Sequence, residues 1–304
     1  MAHRSARSRW RQRWLDYPLQ AAALWLLYGL FRLLPLDTAS ALGGRLARYI
    51  GPRLAASRKA LSNLQRAMPE LDAAARQEVL AGMWENLGRV AAEYPHIARL
   101  WGRGGDCRVE ILGSEHLRAA AASGKPAILV SGHLANWELL SHAAALHGLP
   151  LTLVYRRPNN PLVARLLDRA REAIDGEHVE KGRNGARALL AALRAGRSVG
   201  MLMDQKFNDG VPVPFFGRDA MTAPAAAQFA VRFKAPMLPA RIERLEGARF
   251  RLTVLPPLPV PEGDTEDGSE GAAHALLVRF NALLESWIRE RPAQWLWLHR
   301  RWPD

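Results

Sequence analysis

The sequence predicts an α/β fold, with a mostly parallel central sheet flanked by helices and preceded by an apolar amino-terminal segment. Short apolar segments rich in β-forming residues alternate with helix-length segments through the middle of the chain, which is typical of βαβ crossovers. Residues 127–138 change from an apolar strand to a small-residue turn and then to a helix-like pattern. A chain of 304 residues can bury the core of such a domain without disulfide bonds.

The amino terminus combines basic and apolar residues. Five arginines between residues 4 and 13 precede the apolar segment 19–34, and Ala39-Ser40-Ala41 follows it, a combination that also occurs in secretory signal peptides. Arg32 and Pro35 interrupt the approach to that cleavage-like segment. Basic residues on both sides favour a helix in the inner leaflet with both flanks cytoplasmic. A single membrane span and a buried core helix are the alternatives.

The predicted organisation is a basic tail and membrane-anchor helix over residues 1–36, followed by a helical lead-in and an α/β domain over residues 37–304. The helical patterns predict a helix at 38–50 and a second that follows it and ends at about residue 67. Further helices are predicted at 72–94, 114–122, 134–147, 161–174, 184–195 and 272–289. The β-forming segments predict strands at 107–112, 127–131, 151–155, 198–203, 236–242 and 250–254. An acidic loop is expected at 263–271.

The charge of the chain predicts an anionic partner. Lys and Arg number 42 against 29 Asp and Glu, a net charge of +13. The sequence has no zinc-finger spacing and no RNA-binding aromatic motif, so nucleic acid is not expected. Ten tryptophans beside many arginines instead suit a membrane interface. The single cysteine, Cys107, excludes an internal disulfide, and without a neighbouring histidine it is a poor nucleophile.

A candidate base and carboxylate lie after the strand at 127–131. His133 and Glu138 are five positions apart, a spacing that puts two side chains on different faces of a regular helix. They can meet only if His133 lies in the turn and Glu138 in the helix, as for a base and the carboxylate that orients it. Asp204 directly follows the strand at 198–203. If the two strands are parallel neighbours, both polar ends open into one crevice; alone, Asp204 could equally be a turn residue.

Two further segments could bind a substrate. Residues 208–222 are rich in proline and apolar residues, so they should line an apolar ligand or pack on the core, with Thr222 capping the next helix. Cationic and aromatic side chains end the strand at 151–155 and continue on the next helix: Tyr155, Arg156, Arg157, Arg165, Arg169 and Arg171. Such a set suits phosphate binding, although a solvated basic surface is the alternative for any single arginine.

Two other chemistries are less well supported. A metal site could use His133, Glu138, His142 and His147, but the His-Glu-x-x-His pattern is missing and another element would have to supply a ligand. A serine hydrolase would need a Gly-x-Ser-x-Gly elbow, which Ser131-Gly132 lacks.

The spacing His-x4-Glu at His133 resembles the signature of the lysophospholipid acyltransferase superfamily. Within it, the chain resembles the late acyltransferases of lipid A biosynthesis, the lauroyl and myristoyl enzymes of Gram-negative bacteria. The motifs that carry this resemblance follow the family's order along nearly the whole chain: Gly132-His133-Leu-Ala-Asn136-Trp137-Glu138, Tyr155-Arg156 with Asn160-Pro161, Asp204-Gln205, Val213-Pro-Phe-Phe-Gly217 with Thr222, and Gln294-Trp-Leu-Trp297-Leu-His299-Arg300-Arg301-Trp302. Arg156-Arg157-Pro158 departs from the single arginine that the family more often has before this proline.

The resemblance implies a glycerol-3-phosphate-acyltransferase-like fold and acyl transfer from acyl-acyl carrier protein to a hydroxyl of a phosphorylated lipid A precursor of the Kdo-lipid IVA type. It implies no metal or organic cofactor, and an inner-membrane enzyme with its catalytic domain on the cytoplasmic side. His133 would be the general base, Glu138 would orient it, and residues 211–222 would bound the acyl channel. The implied substrate-binding residues are Arg171, Asp204, Asn136, Tyr155 and Arg156.

Three alternatives to this activity stay open. The first is an acyl-CoA-dependent transferase acting on a glycerolipid or a mannosyl glycolipid. The second is a metal-dependent hydrolase at a membrane surface, and the third is a lipid-binding protein without catalytic activity.

Overall fold

The computed structural model describes residues 12–102, 107–155, 157–171, 176–180, 182–260 and 268–302. The strands are β1 (Val109–Leu112), β2 (Ile128–Ser131), β3 (Leu151–Tyr155), β4 (Glu177–Glu180), β5 (Ser198–Leu202), β6 (Val211–Phe215), β7 (Arg218–Thr222), β8 (Met237–Arg244) and β9 (Phe250–Val254). The helices are α1 (Tyr17–Leu33), α2 (Leu36–Ile50), α3 (Ser57–Ala67), α4 (Ala73–Glu93), α5 (Ser114–Ala122), α6 (Leu139–Leu146), α7 (Pro161–Arg171), α8 (Arg183–Arg194), α9 (Ala225–Phe233) and α10 (Gly268–Glu290).

A seven-stranded sheet forms the centre of the molecule, with the strand order β1-β9-β8-β2-β5-β3-β4. Every neighbouring pair is parallel except β8 and β9, which confirms the predicted mostly parallel sheet. The middle strand β2 is buried on both faces, because Ile128 and Val130 face one apolar core while Leu129 faces another. Strands with both faces covered by helices are mainly apolar, as the first three residues of β2 are.

The apolar amino-terminal segment forms α1, whose buried residues are Ala21 and Phe31. Leu19, Leu26 and Leu33 recur every seventh position on one side of this helix and are 69%, 75% and 85% exposed. This exposure contradicts the alternative of a buried core helix. Among the described residues, no helix is both long and apolar enough to cross a bilayer. The arginines at positions 4, 7, 9 and 11 lie outside the described residues.

The proline-rich segment 208–222, for which no strand was predicted, contains the two-stranded hairpin β6–β7. Pro212 and Pro214 occupy alternate positions of β6, and alternate residues of such a ribbon direct their backbone nitrogens away from the partner strand, so proline breaks no ladder bond there. Val213 and Phe215, the residues between and after them, are buried in the core. This hairpin therefore packs on the core, which was the alternative interpretation of the segment.

The structure differs from the sequence predictions at three smaller points. Thr222 does not cap the next helix: α9 starts after Pro224, and the Thr222 hydroxyl donates to the Ala220 carbonyl over 2.9 Å. β4 was not expected, because its sequence Glu-His-Val-Glu is too polar and too short to produce an apolar pattern. α10 begins at Gly268, so residues 268–271 are helical rather than part of the acidic loop, whose residues 261–267 lie outside the described part of the chain.

Candidate active site

Two neighbouring parallel strands, β2 and β5, supply the central residues of the candidate site. Ser131 at the end of β2 pairs with Leu202 at the end of β5, and the Met203 amide donates to the Ser131 carbonyl over 2.9 Å. The carboxyl ends of parallel strands meet at one edge of the sheet. The expectation that the two polar strand ends open into the same crevice is therefore confirmed.

The segment after β2, residues 132–138, is a loop that we call the histidine loop. A helix was predicted from residue 134, but α6 begins only at Leu139, and Glu138 precedes it. Leu134 forms a bridge with Trp295, and the Ala135 amide donates to the Gln294 carbonyl over 2.9 Å. The backbone of the loop thus bonds to a distant segment instead of closing helical turns, so tertiary contacts override the helix-like pattern.

The small residue at the start of the histidine loop permits close packing. A Cβ atom on Gly132 would lie 2.8 Å from the Leu284 side chain of α10 and 3.5 Å from Asp204. The chain can therefore turn directly over α10 and bring the next residue, His133, against Asp204.

His133 and Asp204 form a hydrogen-bonded pair. Nδ1 of His133 lies 2.7 Å from Oδ1 of Asp204, and the His133 backbone amide donates to Oδ2 over 2.9 Å. The Trp295 indole Nε1 also donates to Oδ2, over 2.8 Å. Because a carboxylate only accepts hydrogen bonds, Nδ1 carries the proton, which leaves Nε2 of a neutral His133 ring as the basic nitrogen.

The environment of Asp204 keeps its carboxyl group ionised. Asp204 is 3% exposed, and burial alone would raise its pKa. The positive charge of a protonated His133 and the hydrogen bonds from His133 and Trp295 act more strongly, so the pKa of Asp204 lies below its usual range. A permanent negative charge therefore faces the Nδ1 side of the ring, where it fixes the tautomer and stabilises the imidazolium.

The carboxylate on Nδ1 is not the one that the sequence predicts. Glu138 was expected to orient His133, whereas that position is occupied by Asp204, which was predicted only to bind substrate. Glu138 is 9% exposed and its Oε1 accepts a hydrogen bond from the Tyr94 hydroxyl. It nevertheless lines the same cleft as His133. The spacing of five residues located both groups correctly but could not show which carboxylate meets the ring.

A largely apolar cleft opens beside His133 between the start of α6 and the strands β3, β4 and β5. Its walls are formed by His133, Trp137, Glu138, Leu140, Ser141, Leu153, Val154, Tyr155, His178, Gly200, Met201 and Leu202. The His133 side chain is 16% exposed, and the Trp137 ring lies edge-on to it with 5.1 Å between ring centres. The Gln205 side-chain nitrogen lies 3.2 Å from Nε2 of His133. His133 thus lines a cleft suited to an apolar chain, and the Gln205 amide lies beside its basic nitrogen.

The other predicted site residues have different fates. Tyr155 lines the cleft, as expected of a substrate contact. Asn136 is 1% exposed and donates to Glu93 over 3.0 Å, so its side chain points into the protein rather than into the cleft. Arg171 is the last residue of α7, but its side chain, like the whole of Arg156, lies outside the described part of the structure.

Residues 211–222 were expected to bound the acyl channel, but they do not line this cleft. Their hairpin is tied to the carboxyl-terminal segment, where the buried Arg301 donates to the Met221 carbonyl over 2.9 Å and to the Thr222 hydroxyl over 2.8 Å. Burial lowers the pKa of Arg301 to about 10, although the charge of Asp204 acts against this shift.

Tyr94 and Trp295 contact the two carboxylates of the site, but neither residue was predicted to have a role. Tyr94 follows α4 and had no motif around it. Trp295 lies in the tryptophan-rich motif near the carboxyl terminus, so a signal was present there without an indication of its partner.

The histidines considered as metal ligands face other groups. The ring of His142 packs against Trp101 with 4.6 Å between centres, and Nδ1 of His147 lies 2.9 Å from the Ala143 carbonyl oxygen. In the ranges that the structure describes, no three His, Cys, Asp or Glu side chains are grouped so that they could hold a metal ion.

Comparison with known proteins identifies the family. The family model for the bacterial lipid A biosynthesis acyltransferases matches residues 1–304. A lipid A biosynthesis acyltransferase of Haemophilus influenzae is 28% identical over 298 residues, which cover 94% of this chain and 89% of the relative. The lipid A biosynthesis palmitoleoyltransferase of Escherichia coli is 26% identical over 88% of this chain and 86% of its own. The lauroyltransferase of the same organism is 26% identical over 79% and 76%.

These matches agree with a site that pairs a basic histidine with a carboxylate beside an apolar cleft. The protein is an acyltransferase, and the chain belongs to the bacterial lipid A biosynthesis acyltransferase family.

Proposed function

We propose that this acyltransferase moves a fatty acyl chain from acyl-acyl carrier protein to a hydroxyl of a phosphorylated lipid A precursor of the Kdo-lipid IVA type. The observation that carries this proposal is the His133–Asp204 pair, whose histidine lines a largely apolar cleft. The names of the relatives support a lipid A acceptor. The net charge of +13 suits both an acidic carrier protein and a phosphorylated glycolipid.

In the proposed reaction His133 is the general base. Its Nε2 takes the proton of the acceptor hydroxyl while the hydroxyl oxygen attacks the thioester carbonyl carbon. The new C–O bond forms and the C–S bond breaks, and the proton on Nε2 passes to the departing thiolate. The hydroxyl attacks directly, so no side chain of the protein needs to form a covalent intermediate.

The charges around His133 favour this proton transfer. The ionised Asp204 stabilises the imidazolium that forms, through the 2.7 Å contact to Nδ1. Glu138, which lines the same cleft as His133, adds a second negative charge near the ring. The Gln205 amide lies close enough to the base to donate to the oxygen that becomes negative in the transition state.

The apolar cleft is the proposed site of the acyl chain. Leu140, Leu153, Val154, Met201 and Leu202 provide its apolar surface beside the base. An extended hydrocarbon chain placed here would bring its carbonyl carbon to His133, and the depth of the cleft would select the chain length. The exposed Arg165 and Arg169 on α7 suit the phosphate groups of the acceptor.

We further propose that the protein works on the cytoplasmic surface of the inner membrane, with the exposed leucines of α1 in the lipid. The expected result is co-sedimentation with phosphatidylglycerol-containing vesicles, which replacement of Leu19, Leu26 and Leu33 by glutamine weakens. The same change at Leu146, an exposed leucine on α6, is the matched control. Equal binding by the triple variant and the control would refute this location.

The function is tested by incubating the purified protein with a series of acyl-acyl carrier proteins and lipid A precursors, and by identifying the products by mass spectrometry. We expect one added acyl chain and no product with the His133→Ala variant. Donor competition against acyl-CoA separates the proposal from its main alternative. Preferred use of acyl-CoA, or transfer that persists in the variant, would contradict the proposal.

A further inference from the structure

The histidine loop contains a residue in a disfavoured backbone conformation. Ala135 lies between His133 and Glu138, is completely buried, and has a φ of +46°. A residue with a Cβ atom is rarely found in the left-handed region and persists there only when its surroundings fix it. The conformation of this loop therefore depends on contacts from outside the loop.

Both peptide groups of Ala135 are held by residues from other elements. Its amide donates to the Gln294 carbonyl over 2.9 Å, and its carbonyl accepts from Nδ2 of Asn86 over 3.1 Å. The next residue, Asn136, donates from Nδ2 to Oε2 of Glu93 over 3.0 Å. Three anchors thus act on the two residues at the middle of the loop.

These anchors are connected through one buried arginine, Arg244 at the end of β8. Its Nε donates to Oδ1 of Asn86 over 3.0 Å, and its Nη2 donates to Oε2 of Glu93 over 3.1 Å. The Gln294 side chain pairs with the backbone of Arg244 through bonds of 2.9 and 2.8 Å. We call Asn86, Glu93, Arg244 and Gln294 the loop clamp.

The ion pair in the loop clamp calls for an explanation other than stability. Glu93 is 0% and Arg244 7% exposed. A buried ion pair commonly stabilises a fold no better than apolar side chains of the same size, because both charges lose their hydration. The buried Glu93–Arg244 pair is better explained by the geometry that it imposes. Its hydrogen bonds lead to Asn86 and Asn136, and through them to the loop that carries His133.

We propose that the loop clamp is a set of positioning residues, which hold the Ala135 and Asn136 peptides and thereby set the placement of His133 relative to Glu138. This rests on the proposed role of His133 as the base. The clamp residues act on the reaction only through the loop. Because a displacement of about 1 Å can reduce a rate by about 100-fold, losing one anchor should reduce turnover more than it reduces substrate binding.

The test replaces Asn86 by Asp, which keeps the acceptor for Arg244 but removes the donor to the Ala135 carbonyl. Asn281 is a matched control, because it is buried on α10 and donates from Nδ2 to the Pro214 carbonyl over 3.2 Å, away from the loop. In Asn86→Asp we expect kcat to fall about 10- to 100-fold with KM changed less than about threefold. In Asn281→Asp we expect a lower melting temperature but kcat within about threefold of the parent protein.

A second measurement does not depend on the substrates. The rate at which diethyl pyrocarbonate modifies His133 is followed by mass spectrometry. His116 on α5, whose side chain is 27% exposed, is the internal reference. The proposal predicts faster modification of His133 relative to His116 in Asn86→Asp and an unchanged ratio in Asn281→Asp. If the parent protein transferred no acyl chain, the proposed function would fail, and this ratio alone would decide the role of the clamp.

Equal effects of the two substitutions on kcat and on the modification ratio would overturn the proposal, as would an Asn86→Asp protein with unchanged values. If Asn86→Asp did not fold, Asn86→Ala removes the same donor without adding a charge and is subject to the same two outcomes.

Discussion

Replacing Asp204 by Asn tests the most specific feature of the site, a buried carboxylate that accepts hydrogen bonds from three N–H donors. These donors are Nδ1 and the backbone amide of His133 and the indole of Trp295. An asparagine has one oxygen to accept them and an NH₂ group that cannot. If the oxygen faces Nδ1, the NH₂ group meets the other two donors. If the NH₂ group faces Nδ1, the ring must carry its proton on Nε2 and cannot act as a base.

The expected loss of rate follows from both effects. The neutral amide no longer stabilises the imidazolium across the 2.7 Å contact, and one of the two amide orientations selects the unreactive tautomer. Where the same change has been made in a His–Asp pair of this kind, the turnover falls about 10⁴-fold. We therefore expect kcat for Asp204→Asn to fall about 10³- to 10⁴-fold, which corresponds to about 4 to 5.5 kcal/mol of transition-state stabilisation.

The assay is acyl transfer at saturating donor and acceptor, with circular dichroism to establish that the variant is folded. Asp37→Asn is the control, because Asp37 is an exposed carboxylate whose Oδ2 pairs with Arg108 over 2.9 Å on the surface. Such pairs contribute about 0 to 1 kcal/mol, so this variant should keep its rate. A folded Asp204→Asn protein that retained more than about a tenth of kcat would refute the assignment of Asp204 as the partner of His133.

Three further predictions concern the same cleft. His133→Ala should reduce kcat about 10²- to 10⁴-fold, and near-normal transfer by this variant would contradict its role as the base. Glu138→Ala removes only the second negative charge and should reduce kcat less than His133→Ala does; an unchanged kcat would contradict its role. Gly200→Ala should shift the donor preference to shorter acyl chains, because the added Cβ would lie 2.5 Å from Leu153 and push that side chain into the cleft; an unchanged chain-length profile would contradict this. The pKa of Asp204 is lowered by folding, so its carboxylate stabilises the protein above the unfolded pKa of about 3.9 and this contribution is lost as the pH falls towards the folded value. Urea unfolding from about pH 7 to about pH 3 should show the stability difference from Asp204→Asn shrinking on acidification.

The sheet and its polar edge could be predicted because their signals are local. The three central parallel strands are mainly apolar segments bounded by turn residues, so β2, β3 and β5 were predicted within a residue of their observed ends. The alternation with helices predicted parallel neighbours, and this brought His133 and Asp204 to one edge. β4 was not predicted because it is a short polar strand. It is recognised as a strand by its pairing with β3.

The arrangement inside the site could not be predicted from local patterns. Leu134 and Ala135 continue an apolar pattern that suits a helix, yet their backbone groups bond to residues near the carboxyl terminus. The contact between Glu93 and Arg244 joins positions 151 residues apart, for which the sequence offers no periodic signal. Glu138 was predicted to be the partner of His133, but Asp204 occupies that position. The prediction was wrong because the partner depends on how the histidine loop folds, which local patterns do not show.

The carboxyl-terminal segment belongs to the site mainly because it supports the residues that line it. Its Trp295 holds Asp204, its Gln294 accepts the Ala135 amide, and the Leu296 amide donates to the His133 carbonyl over 3.2 Å. Both members of the His–Asp pair are thus fixed by the same short segment, which lies across the ends of β2 and β5. Since the histidine loop has no regular structure of its own, its geometry is determined only when this segment has docked. One residue of the tryptophan-rich motif, Trp295, therefore supports the proposed base through its hydrogen bond to Asp204.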